Sequence, residues 1–135
     1  MGMSGPLIDL IDSNIFISYF NNEPEVAEIF RMIDCGQIIA RYSPVTWIEL
    51  LSFPSLSSAE IAEIQEFLRL FEAVTLTADI LDKAAQVRRT YRIKLPDALI
   101  AACAIVTQSQ LVTRDTKDFL AIRELSIVNP FWSEG

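Results

Sequence analysis

"LPDALIAACAIV", residues 95–106, decides how this chain folds. Nine consecutive residues, Ala98 to Val106, are apolar, and one carboxylate, Asp97, stands at their head. The run is well short of the roughly 18–20 residues that span a bilayer. It is also apolar all round, where a surface helix would show water a polar face. It therefore reads as a buried helix. Pro96 suits its first turn, which puts Asp97 at about the second helical position. An ionisable group at the mouth of so buried a segment needs a reason.

The segments on either side supply the setting. Upstream lies a long helix, "ADILDKAAQVRRTYRI" (78–93), with Thr77 as its cap, and before it a short strand, "AVTL" (73–76). Downstream come the strand "QLVT" (110–113), a short helix at about 116–123 and the strand "SIVN" (126–129). Towards the N-terminus, "LIDLI" (7–11) and "QIIAR" (37–41) read as strands, with helical patterns at about 14–20 and 24–34 between them. "SPVTWIELLSF" begins a helix with Ser43 as cap and Pro44 at its first position. "SSAEIAEIQEFLRLF" (57–71) is an amphipathic helix capped by Ser57 or Ser58. Strands separated by helices predict an α/β fold, a mostly parallel sheet of about five strands covered on both faces. Functional groups in such sheets gather at the carboxyl ends of the strands.

At 135 residues the chain is expected to be a single domain, with residues 1–5 a disordered or tag-like lead. No basic n-region precedes an apolar stretch, so no signal peptide is expected. Cys35 and Cys103 have apolar or small neighbours, and two reduced thiols in a cytoplasmic protein are expected. Histidine is absent. That excludes Ser-His-Asp and Cys-His catalysis and the common zinc sites. Gly36 is the sole glycine away from the termini, so there is neither a P-loop nor a G-x-G-x-x-G turn. Chemistry here has to rest mainly on carboxylates.

Four separate segments deliver carboxylates to strand ends or helix starts. Asp12 ends the first strand; Asp9, three residues earlier, points to the other face about 10 Å down the strand. Glu49 lies one turn after Thr46 on the same helix face. Asp97 opens the buried helix, and Asp115 and Asp118 follow the strand "QLVT". Each has a plain structural reading: a turn former at Asp12, a solvated face at Glu49, dipole complementarity at Asp97, and a cap with its partner at Asp115 and Asp118. Together they repel one another unless protonated or joined by a cation. An all-oxygen pocket without His suits Mg²⁺ or Mn²⁺, whose usual work is phosphoryl chemistry.

The chain resembles the PIN-domain ribonucleases, in particular the VapC-type toxins of bacterial toxin–antitoxin pairs. "LIDSNIFI" (10–17), "YSPVTWIELLS" (42–52), "LPDALIAACAIV" (95–106) and "LVTRDTKDF" (111–119) carry the resemblance, in the family's order and at about its spacing. It implies a PIN-like three-layer fold and metal-dependent hydrolysis of RNA. It also implies that Asp12, Glu49 and Asp97 are the first three acids of the site. The fourth comes from Asp115 or Asp118; family members often carry Asn at the former, so both stand as candidates here. Mg²⁺ or Mn²⁺ would be held by Asp12, Asp97, Asp115 and Asp118. Asn14, Ser43, Thr46 and Thr113 match polar positions that hold these groups or orient waters.

The resemblance further implies an antitoxin partner seated on the apolar surface of "IFISYFNNEPEVAEIF" and "IAEIQEFLRLF", and a homodimer. A net charge of −7 looks unsuited to RNA, but five of those charges are the candidate site acids, which leaves −2 elsewhere. Arg114 and Lys117 are the candidate phosphate contacts. Lys83, Arg88, Arg89, Arg92 and Lys94 form a second basic group that a solvated helix face also explains. A haloacid-dehalogenase-type phosphatase would need Asp where Asn14 stands. A receiver domain would need an acid at the end of "QIIARYS". A PIN nuclease of RNA processing without a toxin role, or a silent protein- or RNA-binding module, remains open.

Overall fold

The computed structural model describes residues 7–132, so the expected lead at 1–5 lies outside the described residues. Five strands form one sheet: β1 (Leu7–Ile11), β2 (Ile38–Tyr42), β3 (Glu72–Ala73), β4 (Gln110–Val112) and β5 (Ile127–Val128). Their order is β3-β2-β1-β4-β5, and every pairing is parallel. Successive connections from β1 lead outward to β2 and β3; the chain then crosses back to β4 on the other side of β1. The order therefore reverses between β1 and β4, and a crevice opens outside their carboxyl ends.

Six α-helices cover the two faces. Helices α1 (Ser13–Phe20), α2 (Ala27–Asp34), α3 (Pro44–Leu50) and α4 (Ser58–Leu68) pack with Ile11, Ala40, Tyr42 and Val112 on one side. Helices α5 (Ala78–Tyr91) and α6 (Leu95–Val106) pack with Leu10 and Leu111 on the other. This is the three-layer arrangement expected. Among the described residues, no helix is long and apolar enough to cross a membrane.

The opening stretch behaves as its composition requires. Ala98, Ile100, Ala101, Ala102, Cys103 and Ala104 are buried. The four alanines let α6 lie close to both α5 and the sheet, and a larger side chain there would overpack the core. The helix begins one residue earlier than expected, at Leu95, so Asp97 is its third residue rather than its second. On the other face, Phe16 is fully buried and meets Phe30, Tyr42, Phe67 and Phe71 edge-on. Such pairs add about 0.5–1.5 kcal/mol each beyond burial. They fix α1, the helix that begins immediately after Asp12.

Local chemistry sets the ends. Ser43 accepts from Val45 N, Ser57 from Glu60 N within a full capping box, and Thr77 from Ile80 N. Gly36, at φ 82°, turns the chain from α2 into β2. Three expected elements differ. The helix at 24–34 is split, with a 3₁₀ turn at Pro24–Val26 leading into α2. The strand at 73–76 is Glu72–Ala73, extended by one bond from Val74 N to Tyr42 O. The helix at 116–123 is a 3₁₀ turn, Thr116–Asp118, followed by further turns. Phe119 and Ile122 anchor that segment in the core at a spacing of three, which suits consecutive tight turns.

Candidate active site

The acids meet beyond the carboxyl ends of the paired strands β1 and β4. Asp12 follows β1 directly, caps α1 and is only 6% exposed. Its amide donates to Val112 O across the switch point at 3.0 Å. Its carboxylate has three donors around it. Oδ1 takes the Ser13 amide at 2.8 Å; Oδ2 takes the Thr113 hydroxyl at 2.8 Å and the Asn14 amide at 3.3 Å. Burial still pushes the Asp12 carboxyl up to about 6. The Thr113 and Ser13 bonds pull it down, and the charges of Glu49 and Asp97 push it up.

Thr113 is fully buried and serves three neighbours. It donates to Asp12 and accepts from Asn14 Nδ2 at 3.2 Å and from Asp115 N at 3.0 Å. Asn14 Oδ1 in turn accepts from Arg114 N at 3.0 Å. The segment after β4 is thereby tied to the start of α1.

Glu49 is half-buried on α3 and accepts from the Ser13 hydroxyl at 2.5 Å. Ser13 Oγ also lies 3.2 Å from Thr46 Oγ1. One hydroxyl proton cannot serve both, and the shorter contact gives it to Glu49, with Thr46 Oγ1 alongside as the second acceptor. The expected pairing of Thr46 and Glu49 on one helix face holds, with Ser13 as the link between them. Ser13 itself was not among the sequence candidates. "DSN" reads locally as turn chemistry, and its partners lie 33 and 36 residues away.

Asp97 is half-buried, and its carboxyl is raised by burial first, then by Asp118, Glu49 and Asp115; Lys94 opposes this. Four chain segments thus bring Asp12, Glu49, Asp115 and Asp118 within electrostatic reach of Asp97. Asp115 and Asp118 are exposed. Asp115 stands at the start of the 3₁₀ turn but makes no side-chain cap bond, so capping does not account for it. Ser43 is buried, caps α3 and faces Cys103, which ties the base of α3 to α6.

Among the described residues, no three acidic or sulfur-bearing side chains close around a single point tightly enough to enclose a metal. The donor set nevertheless fits a hard divalent cation: it is all oxygen, without His in the chain. Asp12 and Asp97 are both pushed towards protonation, in part by like charge. A cation would relieve that, and Mg²⁺ is commonly held by one or two carboxylates with waters completing its shell.

Arg114, expected at phosphate, is otherwise engaged. Its Nη1 donates to Glu23 at 3.0 and 3.2 Å and to Ser18 Oγ at 3.2 Å, and the guanidinium lies 3.7 Å from the Phe131 ring centre. Lys117 is exposed in the turn between Asp115 and Asp118.

A five-stranded parallel sheet in this order, with acids gathered at its switch point, defines a class: the chain belongs to the PIN domain family, whose model matches residues 10–125. Among individual proteins it is similar to Ribonuclease VapC19 of Mycobacterium tuberculosis, at 31% identity over 82% of this chain and 90% of that one. A chain of a toxin–antitoxin complex from Klebsiella pneumoniae is 28% identical with a TM-score of 0.76, covering 93% of this chain and 99% of its own length. A chain of VapBC-1 from nontypeable Haemophilus influenzae shares the fold, with a TM-score of 0.81 at 22% identity over 93% and 100% of the two chains.

Proposed function

We propose that this protein is a metal-dependent endoribonuclease, the toxin of a toxin–antitoxin pair. The observation that carries the reading is the group of carboxylates at the β1/β4 switch point of a PIN-family chain, with Asp12, Glu49, Asp115 and Asp118 all acting on Asp97. Asp12, Asp97 and one or both of Asp115 and Asp118 would hold Mg²⁺ or Mn²⁺. The bound metal supplies charge neutralisation at the phosphate and an acidified water. Thr113, Asn14 and the Ser13 amide keep Asp12 aimed and ionised. The Ser13 hydroxyl occupies Glu49 Oε1, leaving Oε2 to orient the attacking water and take its proton. The new P–O bond forms as the bond to the 3′-oxygen breaks, and that oxygen takes a proton from solvent, leaving a 5′-phosphate and a 3′-hydroxyl.

The antitoxin partner belongs to the same proposal, supported by the toxin–antitoxin relatives. Its seat is the apolar cleft between α1, α3 and α4, lined by Ile17, Phe20, Leu50, Phe53 and Phe67 and rimmed by Glu60 and Glu63. A homodimer in the cytoplasm completes the reading.

The test is RNA cleavage by purified, antitoxin-free protein beside Asp97→Asn, each with Mg²⁺, with Mn²⁺ and with EDTA. The expected result is cleavage that EDTA and the substitution each abolish. Cleavage that survives Asp97→Asn would remove Asp97 from the site, and well-folded protein that cleaves no cellular RNA would leave a silent PIN module.

A further inference from the structure

The chain has eleven lysines and arginines. Four are held in ion pairs: Arg31 with Glu28, Arg41 with Glu72, Lys83 with Glu124 and Arg114 with Glu23. The Arg41 pair is one of charge alone, since its Nε finds no aligned acceptor. Among the described residues, no carboxylate pairs with the other seven. Four of those seven, Arg88, Arg89, Arg92 and Lys94, fall at the end of α5 and the link into α6, and all four are exposed. Residues 84–96 contain no Asp or Glu, although the chain as a whole is acidic. A face that only needs hydration mixes both signs; this one does not.

The backbone adds a second observation. Arg92 ends α5 in the left-handed conformation, φ 57° and ψ 39°. Glycine usually takes that position, and another residue there costs about 1 kcal/mol. Arg88 Nε donates to Ile93 O at 3.3 Å and braces the corner. The fold thus keeps an arginine where glycine would relieve strain. Lys94 is the N-cap of α6 yet makes no side-chain cap bond. It stands one helical turn, about 5 Å of rise, before Asp97.

We infer that this corner, Arg88, Arg89, Arg92 and Lys94, is the surface that grips the RNA backbone and delivers the scissile phosphate to the acids. The inference rests on the nuclease reading and deepens it. A strand of RNA running off Asp97 meets cations spaced along the turn, on a protein whose net charge otherwise repels it. Arg114 already shares its charge with Glu23, whereas Lys94, at the end of the corner, acts on Asp97 without a carboxylate partner of its own.

The test compares R88Q/R89Q/K94Q, and separately R92N, whose side chain tolerates the left-handed backbone, with the parent chain. A fluorescein-labelled single-stranded oligoribonucleotide is titrated by anisotropy over a salt series, all chains carrying Asp97→Asn so that the probe survives. The triple variant is expected to bind about 10-fold or more weakly at low salt. Its log K against log [salt] slope should be shallower by about 0.7 for each lost contact. In the Asp97-intact chains, cleavage should weaken through KM, with kcat kept. Unchanged affinity and slope would overturn the inference, as would a parent chain that binds no RNA. Corner substitutions that abolish polyglutamate binding while RNA binding is untouched would also overturn it, in favour of an acidic protein partner. RNA binding that depends on the corner, in a wild-type chain that never cleaves, would sink the nuclease reading and leave the corner standing.

Discussion

Asp9 and Asp12 stand three residues apart on and just beyond β1, on opposite faces of the sheet. They are almost equally buried, at 5% and 6% exposure, and burial pushes both carboxyls to about 6. Their surroundings differ completely. Asp12 has Ser13, Asn14 and Thr113 as donors and Glu49 and Asp97 as charged neighbours. Asp9 Oδ1 has no partner, and desolvation alone moves its carboxyl. Burial by itself therefore raises an acid's affinity for protons without making a site. Fixed donors set Asp12 apart, because they hold the ionised form in one orientation against the like charges of Glu49 and Asp97.

The largest contrast should appear in activity. On the proposed reading, Asp12→Asn should lower RNA cleavage on the order of 10²–10³-fold, since it removes a charge that would hold the metal at the reacting phosphate. Asp9→Leu should leave cleavage within a few-fold. Steady-state kinetics on one RNA substrate reads both. Equal losses from the two substitutions would mean that Asp9 belongs to the site and that the contrast is false.

The next contrast is in stability. In the folded chain each acid keeps its proton to about pH 6, whereas the unfolded chain releases it near 3.8. More protons are then bound in the folded state, so each acid withdraws stability as pH rises from about 4 to 6, with no further change above. Below pH 4 neither contributes. Urea unfolding of Asp9→Leu should show a gain over wild type that widens by about 2 kcal/mol between pH 4 and pH 7. A gain of constant size at every pH would show that Asp9 is not ionised at a cost in the folded chain.

How far this was readable in advance follows from the range of each interaction. The caps Ser43, Ser57 and Thr77 were legible because a cap bonds two or three residues along the chain. The apolar length of α6 and the strand–helix alternation carried the fold for the same local reason. Asp12, Glu49, Asp97, Asp115 and Asp118 could be named as candidates because each lies at a strand end or on a helix beside one. The strand at 72–73 was misplaced because its bounds depend on Arg41 and Tyr42, thirty residues away. The pairing of Arg114 with Glu23 was not legible, because the two lie 91 residues apart. Ser13 was missed for the same reason: its neighbours Thr46 and Glu49 come from another helix.

Ser13 is also what Asp9 lacks, and it gives the smallest and most selective test. Its amide holds Asp12 and its hydroxyl holds Glu49, so one residue fixes two acids that repel each other. Ser13→Ala keeps the amide and loses the hydroxyl. Glu49 would then be free to swing from the cluster, and Thr46 Oγ1 would lose its buried partner. Cleavage should fall about 10-fold, as for other groups that orient a site residue from behind, while Mn²⁺ affinity measured by calorimetry is kept because Asp12 retains its amide donor. Ser13→Thr retains the hydroxyl and should recover most of the cleavage, while a loss of stability common to the two variants would not follow that pattern. Cleavage unmoved by Ser13→Ala would show that Glu49 keeps its place without Ser13, and the difference between the two aspartates would then lie in Thr113 and Asn14 alone.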